Sequence, residues 1–296
     1  MPINRSYATA EPKAAPRYVR DAAKSAPAKA SRIRRKPGFR HLAHVGLGSR
    51  AVIYALLAYL DADIALTRHA PAQPNGSGAL AEISKQPGGG ALLAGLALGL
   101  GCYAFWRLTQ LLSETGGENE AKSTLQRVAW AAAALLYLGL CAQAIALAVG
   151  SGSGGDGATS RPQPYVAYVL RWPAGPLWVG LVGSGLVIGG VGLAAWGFAH
   201  DYRRALETDR IGGLGFQVAR ATGMAGNAAR GLLVVLVGVY LLEAAGTDNP
   251  SRAKGAGQAL SSFDRLPVGP TLLLIAAFGL ACFAVYSLFE ALYRKV

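Results

Sequence analysis

The chain has 296 residues, of which 52% are hydrophobic and 15% charged, and its net charge is +13. Soluble domains carry roughly a quarter charged residues, so this composition excludes an ordinary soluble domain and points to a lipid-facing chain. The three cysteines, Cys102, Cys141 and Cys282, all fall in apolar stretches. They offer no disulfide framework or zinc spacing and are expected to pack as small apolar residues.

Residues 1–40 hold eleven Lys/Arg against Glu11 and Asp21, a local charge of +9. With their Ala, Pro, Lys and Arg composition they cannot bury enough apolar area to fold, so a disordered basic tail is expected. Clusters such as "SRIRRKPGFR" beside a span suit anionic lipid headgroups. Nucleic acid is not expected as a partner, because Tyr7, Tyr18 and Phe39 are scattered and no binding module is visible. No apolar stretch precedes Leu42, so the first span is the expected targeting element.

Six spans follow. Gly88 to Trp106, Val128 to Gly155 and Trp172 to Ala199 contain no Asp, Glu, Lys or Arg, and about 20 apolar residues suffice to cross a bilayer as a helix. Windows at about 46–66, 226–246 and 269–290 complete the set, with Arg50, Asp61, Asp63, Arg230 and Glu243 near their ends. By the positive-inside rule the tail stays in the cytoplasm and the sixth span returns the C-terminus there, with 22 Lys/Arg inside and 7 outside.

The chain repeats itself. At a constant offset of 180, Gly46 aligns with Gly226, Arg50 with Arg230, Asp63 with Glu243, Lys85 with Arg265, Pro87 with Pro267, Gly99 with Gly279 and Cys102 with Cys282. A diverged middle copy keeps Val166, Val169, Arg171, Pro173, Gly175 and Gly185 at the spacing of Leu80, Ile83, Lys85, Pro87, Gly89 and Gly99. The fold expected is an all-α membrane protein of three pseudo-symmetric hairpins, over 41–112, 126–199 and 217–296, around an axis along the membrane normal. Apolar pairs three apart (Leu80 and Ile83, Val166 and Val169, Leu260 and Phe263) predict a short interfacial helix in each outer loop. The prolines Pro87, Pro173 and Pro267 then stop that helix and suit the first turn of the next span. Gly99, Gly185 and Gly279 are expected to form helix seams.

These motifs resemble a bacterial family of domains of unknown function, defined as a pair of transmembrane helices occurring three times per chain. The resemblance covers roughly Phe39 to Val296 and implies topology only. It supplies no activity, cofactor or catalytic residue.

Candidate chemistry is sparse. Asp63 and Glu243 lie on the outer side with Lys85, Arg171 and Arg265, where interfacial ion pairs serve structure. Asp61 has no acidic counterpart, since Leu241 takes its place, which makes it the better candidate for cation or proton handling. Arg50 and Arg230 are explained by snorkelling to phosphate headgroups, and alternatively by an anionic-ligand site at the inner mouth. His41, His44 and His200 lack the facing partners of a haem or metal site, so neither metal nor cofactor is expected. "GSGSGGDGATS" from Gly150 lacks the Lys-Ser/Thr ending of a phosphate loop, and "NGS" at Asn75 matches a glycosylation acceptor.

The resulting expectation is a non-enzymatic, multi-pass protein of the bacterial inner membrane. It binds lipid, a membrane-protein partner or a second copy, with small-solute, proton or ion permeation through Asp61, Asp63 and Glu243 as the alternative.

Overall fold

The computed structural model describes residues 37–67, 75–113, 120–151, 162–265 and 268–294. Residues 1–36 of the expected basic tail, the core of the "GSGSGGDGATS" segment and Pro267 lie outside them, as does the side chain of Arg265, whereas residues 37–40, also expected in the tail, begin the first helix. Ten helices follow in chain order: α1 (Pro37–Thr67), α2 (Gly76–Ser84), α3 (Gly89–Ser113), α4 (Glu120–Ala148), α5 (Gln163–Leu170), α6 (Gly175–Ala199), α7 (Tyr202–Ala205), α8 (Thr208–Gly246), α9 (Ala256–Ser261) and α10 (Gly269–Tyr293). Six of them, α1, α3, α4, α6, α8 and α10, are long and apolar enough to cross a membrane. The protein is therefore an all-helical, multi-pass membrane protein.

In a bilayer the tails are as apolar as leucine, so helices associate through close packing and interhelical hydrogen bonds. The glycines show where that happens. A Cβ on Gly46 would meet the Tyr103 backbone at 2.7 Å, and one on Gly226 would meet the Phe283 backbone at 2.6 Å, so α1 lies on α3 as α8 lies on α10. Gly99 receives Ser49 and Gly279 receives Ala229 at the same two crossings. Between α6 and α8, Gly183 faces the Gly238 carbonyl at 3.0 Å and Gly190 faces the Gly231 carbonyl at 2.6 Å, each from its virtual Cβ. The seven-residue spacing keeps both pairs on one seam.

Helix contacts run in the order α4, α3, α1, α10, α8, α6. Contacts between hairpins thus occur at α3 with α4, α6 with α8, and, from the third hairpin back to the first, α10 with α1. Contacts within a hairpin occur at α1 with α3 and α8 with α10, whereas α4 and α6 do not pack along one another. The row curls, because Arg230 of α8 reaches the Tyr54 ring of α1 at 5.3 Å.

Gly185 departs from the expected seam, since nothing lies within 4 Å of its virtual Cβ. The cause is on α4. Neither Ala132, at the offset that aligns Pro87 with Pro173, nor any residue before Gly139 provides the glycine notch that Gly46 and Gly226 give their hairpins. Lipid-facing side chains cover α6 instead, among them Leu181, Val182, Ile188 and Val191. Trp178 and Trp196 stand near its two ends, where aromatic rings favour the interface.

The three connectors do contain helices, α2, α5 and α9. Their apolar residues turn into the bundle: Leu80 and Leu260 are 0% and 2% exposed and Val166 8%. Asn75, the acceptor-like position, accepts a hydrogen bond from Gly78 N as the N-cap of α2. Pro87 and Pro173 sit in the turns before α3 and α6, so they stop the short helix rather than open the span. The residue after each, Gly88 (φ 77) or Ala174 (φ 59), is left-handed. That reversal brings Gly89 and Gly175 so close to the Ile83 and Leu170 carbonyls that a Cβ on either would collide with them, leaving no room for a side chain.

Candidate functional site

The ends of α1 and α10 meet at what we call the base of the bundle, the end from which α1 starts. His44 Nδ1 lies against the Ala291 carbonyl, and the residues after α7 join the end of α10 through Glu207 N to Tyr293 O at 2.8 Å. One and a half turns up α1 stands Arg50, 3% exposed. It does not snorkel. Its Nε donates to Ser287 Oγ at 3.2 Å, its Nη1 to Tyr103 OH at 3.1 Å, and its Nη2 to Glu290 Oε2. Its guanidinium also lies 5.4 Å from the Tyr103 ring centre and 5.0 Å from that of Phe283. The planar fork explains why arginine stands here, for an ammonium could serve only part of this set.

Glu290, 4% exposed, is the carboxylate that makes this burial tolerable. Its second oxygen accepts from Arg294 Nη1. A buried charge costs several kcal/mol of desolvation, about what a well-made pair returns, so the arrangement fixes geometry more than it adds stability. Arg107, one turn after Tyr103, donates to the same hydroxyl through Nε at 3.0 Å and Nη2 at 2.6 Å, and to Gln110 Oε1 at 2.9 Å. Arg294 and Arg107 bracket the Trp106 ring at 4.8 and 4.9 Å.

Arg230 behaves differently from its repeat partner Arg50. It is half-buried and stacks over Phe283 at 4.2 Å and Tyr54 at 5.3 Å, with no ion pair among the described residues. Tyr137 of α4 lies within electrostatic reach of Tyr54, Arg50 and Arg230, and its ring meets that of Tyr103 edge-on at 4.4 Å. Helices α1, α3, α4, α8 and α10 thus converge on one cluster. It holds Arg50, Arg107, Arg230 and Arg294 against Glu290, so +4 and −1 leave an excess of +3 among these named groups.

The far end behaves as interfacial structure. Glu243 accepts from Arg252 at 2.8 Å and Lys85 donates to Glu82 at 3.0 Å, so each forms an ion pair with a neighbour close in the chain. Arg171 is the exposed C-cap of α5. Asp63 is half-buried, and Asp61 is buried outright. Gln163 Nε2 ties α5 to the third connector through Ala253 O at 2.7 Å and Gln258 Oε1 at 2.8 Å.

Of the sequence-derived candidates, then, the structure brings Arg50 and Arg230 together on one shared aromatic ring, Phe283, and leaves Glu243 and Lys85 in local pairs. Glu290, Tyr103, Arg107, Ser287 and Arg294 were not singled out. The signal that could have found Glu290 is its isolation as the one carboxylate of the sixth span, four residues before Arg294. His41 is exposed, and the described residues contain no group of three or more His, Cys, Asp or Glu able to hold a metal ion.

Comparison with known proteins places this arrangement. No solved structure matches the chain. An uncharacterized protein of Bacillus subtilis (strain 168), YxxB, is 26% identical over 259 residues, spanning 87% of this chain and 91% of that protein. Residues 45–110 and 225–294, stretches that begin 180 residues apart, match the family described as Domain of Unknown Function (DUF1206). The resemblance read from the sequence is therefore found again: the first and third hairpins of this membrane protein, α1 with α3 and α8 with α10, match a domain family of unknown function.

Proposed function

We propose that the protein is a non-enzymatic structural or regulatory component of the bacterial inner membrane that binds an acidic phospholipid headgroup at its base, with both chain ends cytoplasmic. The carrying observation is the excess of arginine over carboxylate in a cluster built from five spans. Arg50 and Glu290 neutralise one another and act as the frame. Arg230 and Arg107 keep guanidinium capacity for a phosphate, whose geometry suits paired N–H donors. The neighbouring basic tail adds attraction to an anionic leaflet at about 1 kcal/mol per residue near the surface. The face between α4 and α6, which the two helices do not close against each other, is where acyl chains or a partner helix would lie.

Native mass spectrometry of the full chain, released from bilayers of mixed zwitterionic and phosphatidylglycerol lipid, tests this reading. Retained phosphatidylglycerol that falls at least several-fold in the Arg230→Gln, Arg107→Gln double variant supports it. Equal retention of both lipid classes by the native protein sinks it.

A further inference from the structure

The half of α1 farthest from the base carries a group that the headgroup reading does not use. Asp61 is 0% exposed, and neither carboxyl oxygen has a hydrogen-bond partner among the described residues. Its helix neighbours Leu60 and Ile64 are 0% and 2% exposed, so the surroundings are dry. Arg50 is eleven residues away, about 16 Å along the axis at the rise of an α-helix.

Among the described residues the elements packed on α1 supply no counter-charge at this depth: the third connector reaches Ile64 through Leu260 and Phe263, its Lys254 donates to Ser262 at 2.7 Å, and α8 brings Leu233. α2 offers Glu82, already held by Lys85. α3 offers Cys102, Tyr103 and Arg107, and α10 offers Cys282, Tyr286 and Glu290; Arg107 and Glu290 are both committed to the base. On α1 itself the nearest titratable groups are Tyr59, which is exposed, and Asp63, which is half-buried.

Packing does not demand a carboxyl at this position. Its counterpart in the third hairpin is Leu241, also buried at 8%. A dry, unpartnered carboxylate is costly enough in a membrane interior that its presence marks function by default.

A second unclaimed polar group lies at the same depth. Gln143 of α4 accepts from Ser77 Oγ at 2.6 Å, while its Nε2 is buried without a partner. Tyr54 and Tyr137 are within electrostatic reach, and α1 and α4 run in the same direction. Seven residues further along each helix come Asp61 and Ala144, with Gln143 in that same turn.

We propose that Asp61 is a proton-binding site in the far half of the bundle. A dehydrated metal cation would need several oxygen ligands, whereas a proton needs one carboxyl, which is what the site provides. On release the carboxyl O–H bond breaks, its electron pair stays on Asp61, and a water molecule that reaches the site takes the proton. Loading is the reverse step. This inference is independent of headgroup binding at the base.

Infrared difference spectroscopy of the full chain in phosphatidylethanolamine–phosphatidylglycerol bilayers, stepped between acid and alkaline buffer, tests it. The expected result is a carboxylic C=O band that disappears on the alkaline step, is lost in Asp61→Asn, and survives in Asp63→Asn and Glu243→Gln. Asp61→Leu, which copies the third hairpin, should lose the band while keeping the thermal midpoint of the native protein. A band that persists in both Asp61 variants, or a titration midpoint that moves with sodium concentration, overturns the proposal.

Discussion

Arg50 and Arg230 occupy the same position in two copies of one motif, yet the structure gives them different work, and substitution should expose the difference. Arg50→Leu removes three donated hydrogen bonds and leaves Glu290 with Arg294 as its partner. Breaking a buried pair costs about 3–5 kcal/mol. Arg230→Leu removes stacking on Phe283 and Tyr54, worth about 0.5–2 kcal/mol. For a chain of this size each kcal/mol moves the thermal midpoint by about 2–4 °C. Arg50→Leu should therefore lower the midpoint by about 6–20 °C and Arg230→Leu by only a few degrees, read by thermal unfolding of the purified protein in mild detergent. Arg50→Lys should recover little, since one ammonium cannot span Ser287, Tyr103 and Glu290. Equal shifts for the two leucine variants, or full tolerance of Arg50→Lys, would refute the frame role and restore headgroup snorkelling as the account of both residues.

The glycines divide in the same way. Gly46→Ala and Gly226→Ala place a methyl group against backbone and should each cost about 1–3 kcal/mol, while Gly185→Ala, which meets nothing, should leave the midpoint unchanged. Glu243→Gln loses an exposed pair with Arg252 and should shift stability by no more than about 1 kcal/mol, the range of surface ion pairs. His200, just beyond α6, is held below its usual range by burial, stacked 4.2 Å from Trp196. A depressed histidine contributes stability above its unfolded value of about 6.5 and loses it as pH falls. Midpoints measured from about pH 7 down to pH 5 should thus drop more steeply in the native protein than in His200→Phe.

Architecture was legible because its rules are local. Uninterrupted apolar length marks the spans, and a constant offset of 180 exposes the repeat without any knowledge of contacts. Gly99 and Gly279 were readable as close-approach positions from their recurrence after the prolines, whereas Gly46 and Gly226 showed only as aligned repeat positions, and their fit against the Tyr103 and Phe283 backbones needed the structure. Gly185 misled for a reason that lies on another helix: α4 lacks the matching notch, and a motif on one strand of a seam says nothing about the other. The base cluster was hidden by the same limit. Arg50 looks like a snorkelling residue from its depth alone, and only the return of α10 beside α1, 240 residues later, turns it inward onto Glu290. Asp61 showed as an asymmetry between copies, but its isolation from every donor depends on tertiary packing.

The account stands or falls on the closure of α10 against α1, which creates the base. With Cys102, Cys141 and Cys282 replaced by serine, cysteines at His44 and Ala291 should cross-link rapidly within one chain in native membranes, because these residues touch across the two helices. A control pair at Leu135 and Gly185, on α4 and α6, should not. Absence of the first cross-link, or its appearance only between chains, would contradict the fold and remove the base cluster with it.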